Sequence, residues 1–376
     1  MDPKLLLFIP LAVIFLLVMV LIHELGHYLV GRWLGFSIKE FSVGFGPKIV
    51  QKPNKRGELV SLRWLPLGGY CQFYGEDADD PDPRAFNNQK PWKRILVLVA
   101  GGVFNILSAI LFCVPLLATN GYVLPKIAIV HEGHNYEILQ DYKNDVILAV
   151  NDGEIDFWHD LSARLGKLKE GEEFTLTLEH DGVPTAVGGL KKGAYTVLDE
   201  NGAVVYERLS YKQGCTTVVA DEQTPVKGVG VGISSAYGRE VKLRFGQVVG
   251  YSFAYPFKIA WECLGALGGL FTGAVGLNQM SGPVSTIVGI ADFANQDLRT
   301  ILFLAPLLAV NLGVFNLLPV PALDGSKIVF VLIEMIRKKP VNRNVEAIIH
   351  LCGFAFLILF AVGVDLLHGI TAIRGG

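Results

Sequence analysis

Residues 5–22, LLLFIPLAVIFLLVMVLI, contain no charge and no polar side chain. Coiled as a helix, a run of this length nearly crosses the roughly 30 Å hydrocarbon core of a bilayer, and it can continue past His23. Three further runs repeat the pattern: ILVLVAGGVFNILSAILFCVPLLAT (95–119), ILFLAPLLAVNLGVFNLLPV (301–320) and EAIIHLCGFAFLILFAVGVDLL (346–367). Lipid offers the backbone no hydrogen-bond partner, so each run reads as a helix. The expected architecture is a polytopic α-helical membrane protein with about four transmembrane helices. Region 247–290 is less apolar and rich in Gly. It reads as interfacial or short helices rather than as a clean span.

Composition agrees. Hydrophobic residues make up 51% and charged residues 18% of the 376-residue chain, and the mean hydropathy is +0.42. That is too apolar for an ordinary soluble enzyme. A net charge of −2 gives no electrostatic footprint for nucleic acid. Cys71, Cys113, Cys215, Cys263 and Cys352 are scattered without C-x-x-C spacing, so neither a disulfide framework nor a thiolate metal site is expected. The first run is not read as a cleaved leader: its basic flank is a single Lys4 beside Asp2, and no A-x-A site follows. Lys and Arg crowd the 31–94 segment and recur at Lys327, Arg337, Lys338, Lys339 and Arg343. The positive-inside rule assigns both regions to the cytoplasm, with Arg337–Lys339 as an anchor. Both termini and the acid-rich 120–240 segment then fall outside.

Between the second and third runs the pattern changes. KIAIV, DVILAV, FTLTLEH and GVGVGIS are short and β-rich, turn signals at Asn151–Gly153 and Asp181-Gly182 separate them, and HDLSARLGKL (159–168) has helical spacing. The stretch DVILAVNDGEIDFWHDLSARLGKLKEGEEFTLTLEHDG resembles the bacterial PDZ pattern, with Asn144 where Gly is usual and without a GLGF-like carboxylate loop. VGFGPKIV (43–50) and ELVSLRWLPLGGYCQFYG (58–75) alternate apolar and polar residues and read as β-hairpins. Their apolar content suits a hairpin dipping into the membrane, provided its backbone is paired. The expected organisation is a first transmembrane helix in 1–30, a cytoplasmic-side loop with membrane-reentrant β-hairpins in 31–91, and a second transmembrane helix in 92–119. An inserted α+β PDZ-like extracytoplasmic domain follows in 120–238, then interfacial helices in 239–298. The third transmembrane segment and a following helix occupy 299–338, and the fourth transmembrane helix occupies 339–376.

The chemistry concentrates in LIHELGHYLV (21–30). His23 and His27 are spaced i, i+4, so a helix presents both imidazoles on one face, and Glu24 sits beside them to take a proton from a metal-bound water. Zn²⁺ accepts nitrogen donors and keeps an open position in catalytic sites. A chance H-E-x-x-H in a chain of this length arises at about 1%. Ionisable groups within a membrane span are generally functional. Two histidines need a third ligand. Asp324, in NLLPVPALDG (316–325), is a candidate because 301–323 contains no other charge and two prolines interrupt the helix before it. As a simple N-cap for the following helix it would need no metal, and spacing leaves both readings open.

Taken together, HELGH, VGFGP, LPLGGY, AFNNQKPWKRILVLVAGGVFN, MSGPVS and NLGVFNLLPVPALDG resemble the site-2 protease family of intramembrane zinc metalloproteases, of the bacterial regulator-of-sigma-E protease type with a PDZ insert. The resemblance spans essentially the whole chain. It departs from the family where A-G-P-x-x-N reads Ala100-Gly101-Gly102-Val103-Phe104-Asn105, and in having one PDZ-like domain rather than two. It implies His23, His27 and Asp324 as Zn²⁺ ligands, Glu24 as the base, and Asn316 and Asn311 near the substrate as amide donors. Asn105 is read as packing. An edge strand of the 58–75 hairpin, including Leu67, Gly68, Gly69 and Tyr70, is expected to hold unwound substrate by strand addition. The implied substrates are single-span membrane proteins such as pre-cleaved anti-sigma factors or signal-peptide remnants, cut within the bacterial cytoplasmic membrane toward its cytoplasmic side. The implied partners are those substrates and the lipid bilayer, with no nucleic acid.

Two rivals remain at this point. Membrane zinc proteases that process prenylated or misfolded proteins use a glutamate as third ligand, which directs attention to Glu262 or Glu334. A scaffold or transporter would leave HELGH and LDG unexplained. No role is expected for the other histidines: His131, His134, His159 and His180 read as solvated, and His350 and His368 as facing interfaces.

Overall fold

The computed structural model describes residues 5–76, 80–130, 135–155, 158–169, 171–192, 233–272, 281–296 and 300–374. In chain order, helix α1 (Leu5–Trp33) leads into strands β1 (Ile38–Pro53) and β2 (Leu59–Phe73), and helix α2 (Pro91–Asn120) follows. Next come β3 (Tyr122–Val130), α3 (Tyr136–Leu139), β4 (Val146–Val150), β5 (Gly153–Glu154), α4 (Trp158–Lys167), β6 (Glu173–His180), β7 (Val183–Lys191) and β8 (Ile233–Val241). The last elements are helices α5 (Phe245–Thr272), α6 (Pro283–Gln296), α7 (Thr300–Asn316), α8 (Asp324–Arg337) and α9 (Arg343–Arg374). Two compact units result: Met1–Leu116 with Val249–Gly376, and Leu117–Val248.

In the first unit, Leu6–Trp33, Pro91–Thr119 and Arg343–Leu366 are long and apolar enough to cross a membrane. The chain is a membrane protein on this ground. The expected span at 301–320 is shorter than predicted: α7 stops at Asn316. Pro319 and Pro321 each lack the N–H that a continuing helix needs, so the chain turns and restarts as α8 at Asp324. In region 247–290 the short-helix alternative does not hold, while no helix there among the described residues is long and apolar enough to cross a membrane. The region's first part is one 28-residue helix, α5, rather than short pieces. Interior glycines cost a helix only about 1 kcal/mol each, too little to break it.

The two expected hairpins are a single curled ribbon. Residues 40–43 of β1 pair with both ends of β2, as Glu40 faces Gln72 on one side and Leu59 on the other, and the far end of β1 folds back so that Lys48 faces Arg63. The bend buries Glu40, whose carboxylate meets the Arg63 guanidinium at 2.9 Å. At the base of the ribbon Phe36, Ile38, Phe73 and Phe86 pack against Val97 and Leu98 of α2 and Val331 of α8. This apolar knot fixes β2 beside the helices that carry HELGH and LDG.

The second unit is an antiparallel sheet in the order β7-β6-β4-β3-β8, with β5 paired to β4. KIAIV, DVILAV and FTLTLEH fall in its strands and HDLSARLGKL in α4. Residues 228–232 of the fourth expected strand lie outside the described residues. Asn144, standing where the PDZ pattern has Gly, takes a left-handed φ of 76°. Asn tolerates that region better than most non-Gly residues. Asp181 (φ 50°) and Gly182 (φ 78°) form the turn with two positive φ angles that suits a two-residue hairpin. His180 is not simply solvated: its Nδ1 lies 2.7 Å from Asp145, which holds its pKa above the usual imidazole value. Ile127, Leu139, Ile147, Leu176, Leu178 and Leu190 form the fully buried core. Truncating Leu178 to Ala should destabilise this unit by about 2–5 kcal/mol, measured as faster hydrogen exchange in β4 and β6 of the intact chain.

Candidate metal centre

α1 runs unbroken through HELGH, so His23 and His27 share a face one turn apart. The turn over 317–323 brings Asp324 to the same point from the other end of the chain. His23 Nε2 lies 3.0 Å from Asp324 Oδ2, His27 Nε2 lies 3.1 Å from the same oxygen, and the two Nε2 atoms are 3.1 Å apart. All three side chains are largely buried, at 7%, 9% and 19% exposure. Among the described residues this is the one cluster of at least three His, Cys, Asp or Glu side chains with such convergence. The N-cap alternative for Asp324 does not hold, since Leu323 occupies the cap and Asp324 is the first residue of the helix proper.

The surroundings fit a zinc ion. Tetrahedral ligands about 2.0–2.1 Å from zinc stand about 3.3 Å apart, close to the spacing of these donors. His27 Nδ1 sits 2.8 Å from the Val97 carbonyl and donates to it, which leaves the Nε2 lone pair facing the other donors. His23 Nδ1 lies 3.3 Å from Asn105 Nδ2, while Asn105 Oδ1 is buried with no hydrogen-bond partner among the described residues. Turning that amide by half a rotation gives Oδ1 the His23 Nδ1–H and frees the Nε2 lone pair, which is the tautomer a metal ligand requires. The expectation that Asn105 merely packs α2 is therefore corrected. Gly101 is required for a steric reason. A Cβ there would stand 2.6 Å from His23 Cε1 and 2.7 Å from His23 Nε2, and would overlap His27 Nε2.

Glu24 is held from the ribbon. Its Oε2 accepts the Cys71 N–H at 2.9 Å, bridging α1 and β2. A cavity of about 410 Å³ opens here, lined by Glu24, His27, Tyr70, Cys71, Asp324 and Lys327 among others. Of the expected hairpin residues, Tyr70 lines this cavity, and Gly69 and Tyr70 pair with Val43 and Ser42. Gly68 and Leu67 precede them in β2; the Leu67 side chain lies outside the described residues. Asn311 and Asn316 are half-buried on α7, Asn316 being its last residue. Glu334 is no rival ligand, since Arg94 binds both its oxygens at 3.0 and 2.9 Å.

Residues 11–360 match the sequence profile of peptidase family M50. The chain belongs to that family, the site-2 proteases. It is similar to a protein of Clostridium acetobutylicum named "Putative zinc metalloprotease", at 29% identity over 95% of this chain and 96% of that one. Proteins with the same description from Agrobacterium fabrum (27% identity; 92% and 91% covered) and Fusobacterium nucleatum (28%; 93% and 95%) are similarly related. This M50 chain is a metalloprotease.

Three contacts of the centre escape sequence reasoning: the Val97 carbonyl, the Asn105 amide and the bare Gly101 backbone. A signal existed only for the last two, in AGGVFN, where Gly and Asn four apart on a helix share a face. Gly101→Ala poses a direct contest. Helix propensity favours Ala by about 0.5–1 kcal/mol, yet the added methyl enters the space of both histidines. The variant should fold and lose bound zinc in elemental analysis, whereas Gly250→Ala on α5, where a Cβ meets nothing within 4 Å, should keep it.

Proposed function

We propose that this M50 protease is an intramembrane zinc endopeptidase. On this reading it cuts within the spans of single-span membrane proteins, such as pre-cleaved anti-sigma factors or signal-peptide remnants. The observation that carries the reading is the convergence of His23, His27 and Asp324 within 3.1 Å, with Glu24 lining the same cavity. His23 Nε2, His27 Nε2 and Asp324 Oδ2 would hold the ion. When bound, zinc supplies a Lewis acid that acidifies its water and polarises a carbonyl.

The protein's own groups perform the rest. Glu24 accepts a proton from the attacking water and returns it to the amide nitrogen that leaves. The Cys71 N–H limits where that carboxylate can swing. The side-chain amides of Asn316 and Asn311 steady the developing oxyanion or the substrate backbone. A helical substrate hides its carbonyls, so it unwinds locally, and the strand through Leu67, Gly68, Gly69 and Tyr70 pairs with the opened segment. Spans containing Gly, Pro or Asn unwind more readily and are preferred. The protein resides in a bacterial cytoplasmic membrane, with the cut toward the cytoplasmic side. The sheet unit between α2 and α5 is PDZ-like and extracytoplasmic.

Cleavage of a single-span reporter by wild type, Glu24→Gln and Asp324→Ala tests this assignment. Glu24→Gln should keep zinc and lose about a hundred- to ten-thousand-fold in rate, and Asp324→Ala should lose both zinc and cleavage. Cleavage at the wild-type rate by either variant contradicts these roles.

A further inference from the structure

His350 lies on α9, 26 residues beyond Asp324, and the proposed chemistry makes no use of it. It is half-buried, its ring lies 5.6 Å from that of Phe330, and its Nδ1 accepts the N–H of Ala322 at 3.1 Å. Ala322 stands two residues before Asp324 and has φ 78°. A residue with a Cβ pays about 1–2 kcal/mol to adopt that left-handed conformation, so something outside the turn must hold it there.

The backbone donors of the turn identify what does. Leu317 N–H bonds to Val314, Leu318 to Phe315, Val320 to Leu318 and Leu323 to Val320, all within a few residues. Pro319 and Pro321 have no N–H. Ala322 is the exception, since its N–H finds its partner 28 residues away. One helical step further along α9, Gly353 packs so close to Pro321 that a Cβ would lie 2.8 Å from both the carbonyl carbon and oxygen of that proline. α9 thus seats its backbone on the turn at Gly353 and clamps it with the imidazole at His350.

We propose that His350 is a positioning residue of the metal centre. It holds the left-handed Ala322 turn and so fixes the direction in which Asp324 leaves the start of α8. This inference rests on Asp324 being a zinc ligand. To accept from Ala322, Nδ1 must be unprotonated, which places the ring hydrogen on Nε2. Asn carries an acceptor oxygen at nearly the position of Nδ1 and can stand in for it, whereas Leu fills similar space without an acceptor.

The test is zinc affinity of the full-length chain in detergent, measured by competition with a chromogenic chelator. Wild type, Asp324→Ala, His350→Leu, His350→Asn and the double variant His350→Leu/Ala322→Gly are compared. His350→Leu should weaken zinc binding about 10–100-fold, the usual cost of losing an outer support of a metal ligand. His350→Asn should bind near the wild-type value. Ala322→Gly removes the strain that His350 restrains and should recover part of the loss. Wild-type affinity in His350→Leu overturns the inference, as does a loss in a folded His350→Asn equal to that in His350→Leu. If His350→Leu does not fold, His350→Asn decides alone: near-wild-type affinity supports the clamp and weakened affinity overturns it. Undiminished affinity in Asp324→Ala instead removes the ligand assignment on which the inference stands.

Discussion

Two imidazole nitrogens and a carboxylate oxygen within 3.1 Å of one another, largely out of water, have their lone pairs aimed at a common point. Such a set is stable only if protons or a cation stand among the lone pairs. The Val97 carbonyl draws the His27 proton to the far side of its ring, and Asn105 is placed to do the same for His23. The outer partners therefore strip the inner faces of hydrogen and leave a site suited to a metal. Much of the surrounding architecture follows from delivering these three groups to one place. α1 stays unbroken to stack two histidines, Gly101 of α2 leaves room for both rings, and the helix that would have continued through α7 is broken to present Asp324.

That delivery explains why the ligand helix is short. A continuous helix from 301 would carry Asp324 about 12 Å along its axis beyond Asn316. Two prolines and a left-handed alanine turn the chain within seven residues, and Asp324 emerges at the start of a new helix. The ribbon β1–β2 performs the matching task for the base, because its Cys71 N–H reaches across to Glu24. Asp324 and the Glu24 carboxylate are thus oriented from different elements, the 317–323 turn and the ribbon, and both line one cavity.

Much of this was legible in the sequence for a physical reason. Apolar runs and i, i+4 ligand spacing are local properties, so α1, α2, α9 and the histidine pair could be read from the residues alone. The Asp181-Gly182 turn was likewise marked by residues that tolerate positive φ. Asp324 was not decided by spacing; it needed the resemblance carried by the surrounding motifs. What escaped reading depends on contacts far apart in sequence. The ribbon's double pairing, the Asn105–His23 contact across 82 positions and the Ala322–His350 bond leave no local pattern. The length of α5 was misread, because glycine weakens a helix by less than the packing of a long helix contributes.

The roles of Asp324, Glu24, Asn105 and His350 depend on His23, His27 and Asp324 sharing one zinc ion. X-ray absorption at the zinc edge of the metal-loaded, full-length protein reads that shell without recourse to activity. A first shell of nitrogen and oxygen only is expected, at about 2.0–2.1 Å, with the outer-shell scattering of two imidazoles. One imidazole should be lost in His27→Ala. A sulfur scatterer near 2.3 Å, which would bring in a thiolate such as that of Cys71 beside Glu24, or a zinc spectrum unchanged in His27→Ala, would contradict the shared site.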